Sequence, residues 1–158
     1  MDVTLIDGRS GSGKSDLATL IASRINASQL VRLDDIYPGW DGLDAASEAV
    51  PGILDTLSWR AWDWDNDRPG AMHYLRADAP IIIEGVGALS RASRSRATTA
   101  IWLEADDATR RERALLRDGE TFAPHWDRWA AQEARFIARE SPRDLADVVV
   151  TTTRTSAV

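Results

Sequence analysis

Gly8-Arg9-Ser10-Gly11-Ser12-Gly13-Lys14-Ser15 is a complete loop of the form G-x-x-x-x-G-K-[ST], and its Lys14 is the only lysine among the nineteen lysine and arginine residues of the chain. One position has kept a compact ammonium where the rest of the protein uses planar guanidinium groups. In such a loop the glycines let successive backbone N–H groups converge on phosphate oxygens. The lysine reaches the β and γ phosphates, and the serine hydroxyl ligates Mg²⁺. The flanks agree with this reading. Val3-Thr4-Leu5-Ile6-Asp7 reads as a short buried strand, while Leu17, Leu20, Ile21 and Ile25 recur at helical spacing after the loop. A strand, a glycine loop and a helix whose N-terminus faces an anion form one phosphate site. A glycine-rich turn that merely joined strand to helix would need neither the lysine nor the serine.

Working outward, 158 residues with 44% hydrophobic and 28% charged side chains suffice for one compact domain with a sizeable core. The chain has no cysteine, so neither a disulfide frame nor a thiolate metal site is available to it. No targeting signal, lipidation motif or membrane-spanning apolar run is visible, which makes a cytoplasmic location the expectation and a membrane an unexpected partner. The net charge of -6 argues against nucleic acid as a partner, since binding by counterion release needs a basic face. Local arginine clusters must answer to local anions.

Apolar runs alternate with helical or irregular segments, the pattern of an α/β domain with a mostly parallel sheet. Strands are expected at 3–7, 30–34, 80–84, 99–103 and 147–151. Helices are expected at 14–25, within 44–57, around 107–117 and at 124–139, with Pro124 in a first turn. Trp126, Trp129, Ala130, Glu133, Phe136 and Ile137 form the largely apolar stripe of the last helix. The segment from Trp59 to Leu75 alternates differently and carries the turn chemistry of Asp65-Asn66-Asp67-Arg68-Pro69-Gly70, as a small hairpin or irregular excursion would. Trp40, Trp59, Trp62 and Trp64, four of the seven tryptophans, lie between the second and third sheet strands. Packing and a ligand wall are equally good readings of them.

Three further groups carry chemistry. Leu33-Asp34-Asp35-Ile36-Tyr37 ends the second strand, and carboxylates at that edge sit where ligands bind in open α/β sheets. One of them could take a proton from a substrate hydroxyl or hold a Mg²⁺ water; a turn or helix cap is the bland alternative. Ile81-Ile82-Ile83-Glu84-Gly85 has the shape of a Walker B strand with Glu in place of the commoner Asp. A carboxylate terminating a buried strand needs a partner, and a Mg²⁺ shell supplies one. Arg110, Arg113 and Arg117 follow the fourth strand on one helix face. Solvated pairing with Glu112 and Asp118 is their ordinary use. Beside a phosphate loop they could neutralise a transferring phosphoryl group.

Together, Gly8 to Ser15, Asp34-Asp35-Ile36-Tyr37, Ile81 to Gly85 and Arg110 to Gly119 resemble the P-loop kinases of small metabolites, above all the uridine kinase and nicotinamide riboside kinase branch, over nearly the whole chain. The resemblance implies a single three-layer α/β domain over 1–158, with a five-stranded parallel sheet in the order 2-3-1-4-5, a substrate-binding excursion at about 38–78 and a lid at about 110–128. It implies ATP and Mg²⁺ as cosubstrate and cofactor, and a small-molecule phosphate acceptor, with a nucleoside among the candidates. Gly8, Arg9, Ser10, Gly11, Ser12, Gly13, Lys14, Ser15 and Arg110 would hold the nucleotide. Lys14, Asp34, Arg113 and Arg117 would serve catalysis, with Ser15, Glu84 and Asp34 on the metal. Asp35, Tyr37, Trp40, Trp62 and Trp64 are the expected acceptor contacts. The tryptophan-rich stretch from Trp40 to Tyr74 departs from the nucleoside pocket of uridine kinases.

A nucleotide-driven regulatory NTPase or switch is the competing class, and nucleoside monophosphate, shikimate and gluconate kinases are competitors within the kinase class. A GTPase is excluded on the residues, because an Asn-Lys-x-Asp guanine reader needs a second lysine.

Overall fold

The parallel sheet of the computed structural model, which describes residues 1–153, is centred on runs that bury both of their faces, Val3–Gly8 and Ile81–Glu84, while its edge run Val148–Thr151 is largely exposed. β1 (Val3–Gly8) is followed by α1 (Lys14–Arg24) and β2 (Gln29–Arg32). α2 (Leu43–Thr56) then leads into a hairpin of β3 (Ser58–Asp63) and β4 (Arg68–Tyr74). β5 (Ile81–Glu84), α3 (Arg91–Arg94), β6 (Thr99–Glu104) and α4 (Asp107–Asp118) come next, and α5 (Trp126–Glu140), α6 (Pro142–Leu145) and β7 (Val148–Thr151) close the described chain.

The sheet order is β2-β5-β1-β6-β7, all parallel, which is 2-3-1-4-5 once the hairpin strands are set aside. The strands alternate sides with period two, so one residue in two faces each helical layer. Leu5, Val31, Ile81 and Ile83 belong to the larger core with α2 and α5, whereas Ile6, Ile82 and Leu103 pack with Ala18, Leu17 and Ile21 of α1. Burial on both sides is why these strands read as continuous apolar runs. α2 buries Leu43, Ala46, Ser47, Val50, Ile53 and Leu54 at the three- and four-residue spacing of one helix face.

The segment after α2 is an antiparallel hairpin, with Trp59 opposite His73, Trp62 opposite Pro69 and a register shift between Arg60 and Trp62. Its turn is closed by Asp63, whose carboxylate accepts from the backbone N–H and side-chain amide of Asn66. Two boundaries differ from expectation. The second strand stops at Arg32, because the Leu33 carbonyl accepts from the N–H groups of Ile36 and Tyr37 and curls Leu33–Asp35 into a 3-10 turn. Asp34 and Asp35 therefore sit on a turn beyond the sheet. Pro124 lies in a separate 3-10 turn, Ala123–His125, and the last long helix starts at Trp126. The span 154–158 of the expected domain lies outside the described residues. No helix among the described residues is long and apolar enough to cross a membrane.

Candidate active site

The loop after β1 folds as its glycines require. Gly11 has φ 79°, and a Cβ there would lie 2.0 Å from the backbone oxygen of Arg110; Gly13, at φ 98°, caps α1. Only glycine fits the first position on both counts. Lys14 is nearly buried and its Nζ donates to the Arg9 carbonyl at 3.1 Å, so the ammonium spans the loop. Ser15, in the first turn of α1, donates its hydroxyl to Glu84 Oε1 at 3.0 Å. Sheet register explains the rest of that contact set. Arg32 pairs with Glu84 across adjacent strands, on the face that α1 covers, and Arg32 Nη1 reaches the same Oε1 at 3.0 Å while its Nη2 donates to Thr19. Glu84, 2% exposed, is thus a partnered buried carboxylate.

Whether these residues suit Mg²⁺ is a question of donor chemistry. The ion takes hard oxygen donors and keeps several waters, being held through one or two carboxylates and substrate phosphates. A hydroxyl and a buried carboxylate 3.0 Å apart beside a phosphate loop meet that description. No group of three or more His, Cys, Asp or Glu residues placed to hold a metal occurs among the described residues, so no all-protein cage competes with it.

Beside the loop opens a cavity of about 630 Å³, whose lining includes Ser10, Asp34, Tyr37, Trp40, Trp64 and Arg117 together with Phe122 and Trp129. Trp40 is the centre of its aromatic wall. The ring stacks on His125 at 4.3 Å and on Phe122 at 5.4 Å, and meets Trp64 at a steep angle. Trp64 Nε1 donates to the Asp34 carbonyl at 2.8 Å, which ties the hairpin to the turn carrying the two aspartates. Tyr37 is buried edge-on against Trp129, and its hydroxyl donates to the Val86 carbonyl at 2.6 Å. Burial, then the charge of Asp34, pushes the Tyr37 phenol well above its usual range, so it remains a neutral donor.

The two aspartates differ in setting. Asp34 lines the cavity, whereas Asp35 is outside the lining, with a pKa raised by burial and then by the Asp34 charge. Trp62, expected among the acceptor contacts, is also outside the lining; its indole N–H is buried without a hydrogen-bond partner.

The three lid arginines separate. Arg117 lines the cavity and pairs with Asp118. Burial disfavours its charge, but Asp118, Asp34 and Glu84 outweigh that and raise its pKa. Arg113 instead donates to the hydroxyl and carbonyl of Thr152, and Thr152 donates to the Ser12 carbonyl. It borders a second cavity of about 650 Å³ with Gly13, Thr109 and Thr152. Arg110 is buried, donating to the Ser10 carbonyl and pairing with Asp107. The three guanidinium groups do not meet at one point: Arg117 alone of them lines the cavity beside Asp34, because a stripe shared on one helix face still sweeps along the loop. Arg9, expected at the nucleotide, turns its side chain outward to Glu133 and the Ala130 carbonyl of α5.

Sequence reasoning did not single out Asp7, Arg32 or Glu133. Asp7 is fully buried under the loop, accepting from the N–H groups of Gly8, Gly87 and Leu89, and burial pushes its carboxyl up to about 7. Glu133 had left one signal, a carboxylate inside an apolar helix stripe.

The fold is one shared with solved kinase structures. Among solved structures, the chain is similar to a possible uridine kinase from Bacillus stearothermophilus at 21% identity and TM-score 0.62, over 94% of this chain and 88% of that one. It is also similar to shikimate kinase from Acinetobacter baumannii at 14% identity and TM-score 0.57, over 99% and 86%. A third similar structure is shikimate kinase from Bacteroides thetaiotaomicron, at 14% identity and TM-score 0.52, over 94% and 85%. No family model matches the sequence, and no curated protein matches it.

Proposed function

We propose that the protein is an ATP-dependent phosphotransferase that moves the γ-phosphate of ATP to a hydroxyl of a small molecule. The observation that carries this reading is the cavity of about 630 Å³ between Ser10 of the phosphate loop and Asp34. A regulatory NTPase needs a surface that changes with its nucleotide; an aromatic chamber beside the loop serves an acceptor.

The loop N–H groups and Lys14 would hold the phosphates, and the second cavity, abutting Gly13, would take the nucleotide base with Arg113 at its rim. Ser15 and Glu84 would hold Mg²⁺, which when bound neutralises charge on the phosphates. Asp34 would accept the proton of the acceptor hydroxyl, and Arg117 would face the transferred group. Charge narrows the acceptor. The lining carries Asp34, Asp65 and Asp118 against the single guanidinium of Arg117, which Asp118 already pairs. A neutral or cationic hydroxyl compound with a flat or apolar face suits this better than the anionic acceptors of nucleoside monophosphate, shikimate or gluconate kinases. A nucleoside meets both requirements.

The test is ADP release from Mg²⁺ and ATP over a panel of neutral, cationic and anionic alcohols. Acceptor-dependent turnover with members of the first two sets is expected. Slow turnover that no small molecule accelerates would instead favour the switch.

A further inference from the structure

We infer that Glu133 is a positioning residue that holds the phosphate loop in its receptive shape from the helix that walls the acceptor cavity. The inference rests on the phosphotransferase reading. Glu133 is 1% exposed, and its two carboxylate oxygens have separate tasks. Oε2 accepts the backbone N–H of Ser10 at 2.8 Å, and Oε1 accepts from Arg9 Nε at 3.1 Å. The other end of Ser10 is held too, its carbonyl accepting from Arg110 at 3.2 Å. One residue of the loop is thus gripped through its N–H by α5 and through its C=O by α4. Charged groups make both bonds in a nearly dry setting, where such bonds are strongest.

The consequence for nucleotide binding follows from which donors remain. With the Ser10 N–H committed to Glu133 and the Ser12 N–H to the Arg9 carbonyl, the N–H groups of Gly11 and of Gly13 onward are the ones the loop can offer to phosphate, and their convergence depends on the fixed orientation at Ser10. The same helix carries Trp129 one turn before Glu133, on the same face, where it meets Tyr37 edge-on at 4.7 Å and lines the acceptor cavity. Gln132, between them, donates to the Trp40 carbonyl at 2.6 Å. α5 therefore registers the acceptor wall against the phosphate loop, which it meets through both oxygens of Glu133 and the Ala130 carbonyl.

The experiment measures the affinity of Mg²⁺ and a non-hydrolysable ATP analogue for wild type, E133A and E133Q, with ligand-free melting curves alongside. E133A leaves the Ser10 N–H without its acceptor and Arg9 with only the Ala130 carbonyl, and should weaken analogue binding by about tenfold or more well below its melting temperature. E133Q keeps one amide oxygen that can serve one of the two donors, and its affinity should lie between. If E133A does not fold, E133Q decides alone: a loss of about threefold or more supports the assignment. Variants that melt earlier yet bind the analogue within about twofold of wild type would show Glu133 to be a packing residue and overturn the proposal. A wild-type protein that binds the analogue, with unaffected variants, defeats this inference alone. A wild-type protein that binds no nucleotide defeats the phosphotransferase reading and this one with it.

Discussion

The Ser15 hydroxyl and Glu84 carboxylate meet at 3.0 Å, joining the first turn of α1 to the end of β5, the strand between β2 and the central β1. Because Arg32 shares the same carboxylate oxygen, Glu84 is compensated while no metal is present. Removing the hydroxyl would take away a ligand of the proposed metal site and leave the ion pair intact. Ser15→Ala should therefore raise the Mg²⁺ concentration needed for half-maximal turnover, by about tenfold, with little change in melting temperature. A Mg²⁺ titration of activity checks this, and an unchanged midpoint would remove Ser15 from the metal site.

Lys14→Ala should abolish phosphoryl transfer. Among the described residues the ammonium makes a single hydrogen bond, to the Arg9 carbonyl, so the loss of stability should be only about 1 kcal/mol. The task proposed for it is at the phosphates. Turnover close to wild type in a folded Lys14→Ala protein would end the kinase reading.

For the general base, the cavity lining separates two neighbours that the sequence leaves side by side. Asp34→Asn should lower kcat by roughly 10²-fold or more with nucleotide affinity little altered, whereas Asp35→Asn should cost far less. Steady-state kinetics on both variants decide between them. The reverse ranking would move the base to Asp35.

Asp7 gives the fold a pH dependence of definite sign. Its carboxyl rises from the ordinary 3.8 to about 7 through burial, against the opposing pull of three backbone N–H groups and Lys14. The folded state then binds the proton more tightly than the unfolded state, so this contribution to stability is full below pH 3.8 and is lost as pH rises through about 7. Denaturant midpoints of wild type should drop between pH 5 and pH 8 by more than those of Asp7→Asn, which cannot titrate there. Parallel pH profiles for the two proteins would show that Asp7 keeps one protonation state throughout.

How much of this could be read from the chain depends on the kind of interaction. Local patterns were legible: the loop, the apolar strands, the hairpin turn at Asp65 to Gly70 and the order 2-3-1-4-5 that follows from the kinase-like motifs all reappear in the fold. What escaped are contacts between residues far apart in sequence. Nothing around Arg110 or Arg113 says that their guanidinium groups will be consumed by Ser10 and Thr152, since that depends on how α4 lies against the loop. Arg32 was hidden for the same reason; its pairing with Glu84 exists only because the two strands are neighbours in register. Trp62 and Trp64 look alike in an alternating strand, yet β3 ends at Asp63, so Trp64 stands in the turn and it alone of the two lines the cavity.

That difference supplies the most direct test of the acceptor pocket. Trp64 is 39% exposed, borders Trp40 and donates its indole N–H to the Asp34 carbonyl, so its ring contributes to the wall more than to the core. Trp64→Leu should raise the acceptor KM several-fold, on the order of the 0.5–1.5 kcal/mol that an aromatic contact contributes, while ATP affinity and melting temperature stay near wild type. Trp62 is more covered and lies off the cavity. Changing it to Leu should leave the acceptor KM alone and lower the melting temperature, since the loss of a packed ring outweighs the relief of removing a buried N–H that has no partner among the described residues. Trp64→Phe adds a control, because it keeps an aromatic face and removes the bond to Asp34. If Phe restores the acceptor KM, the ring face does the recognising. If Phe behaves like Leu, the wall matters through its hold on the Asp34 turn, and the hairpin acts on the base instead of on the acceptor.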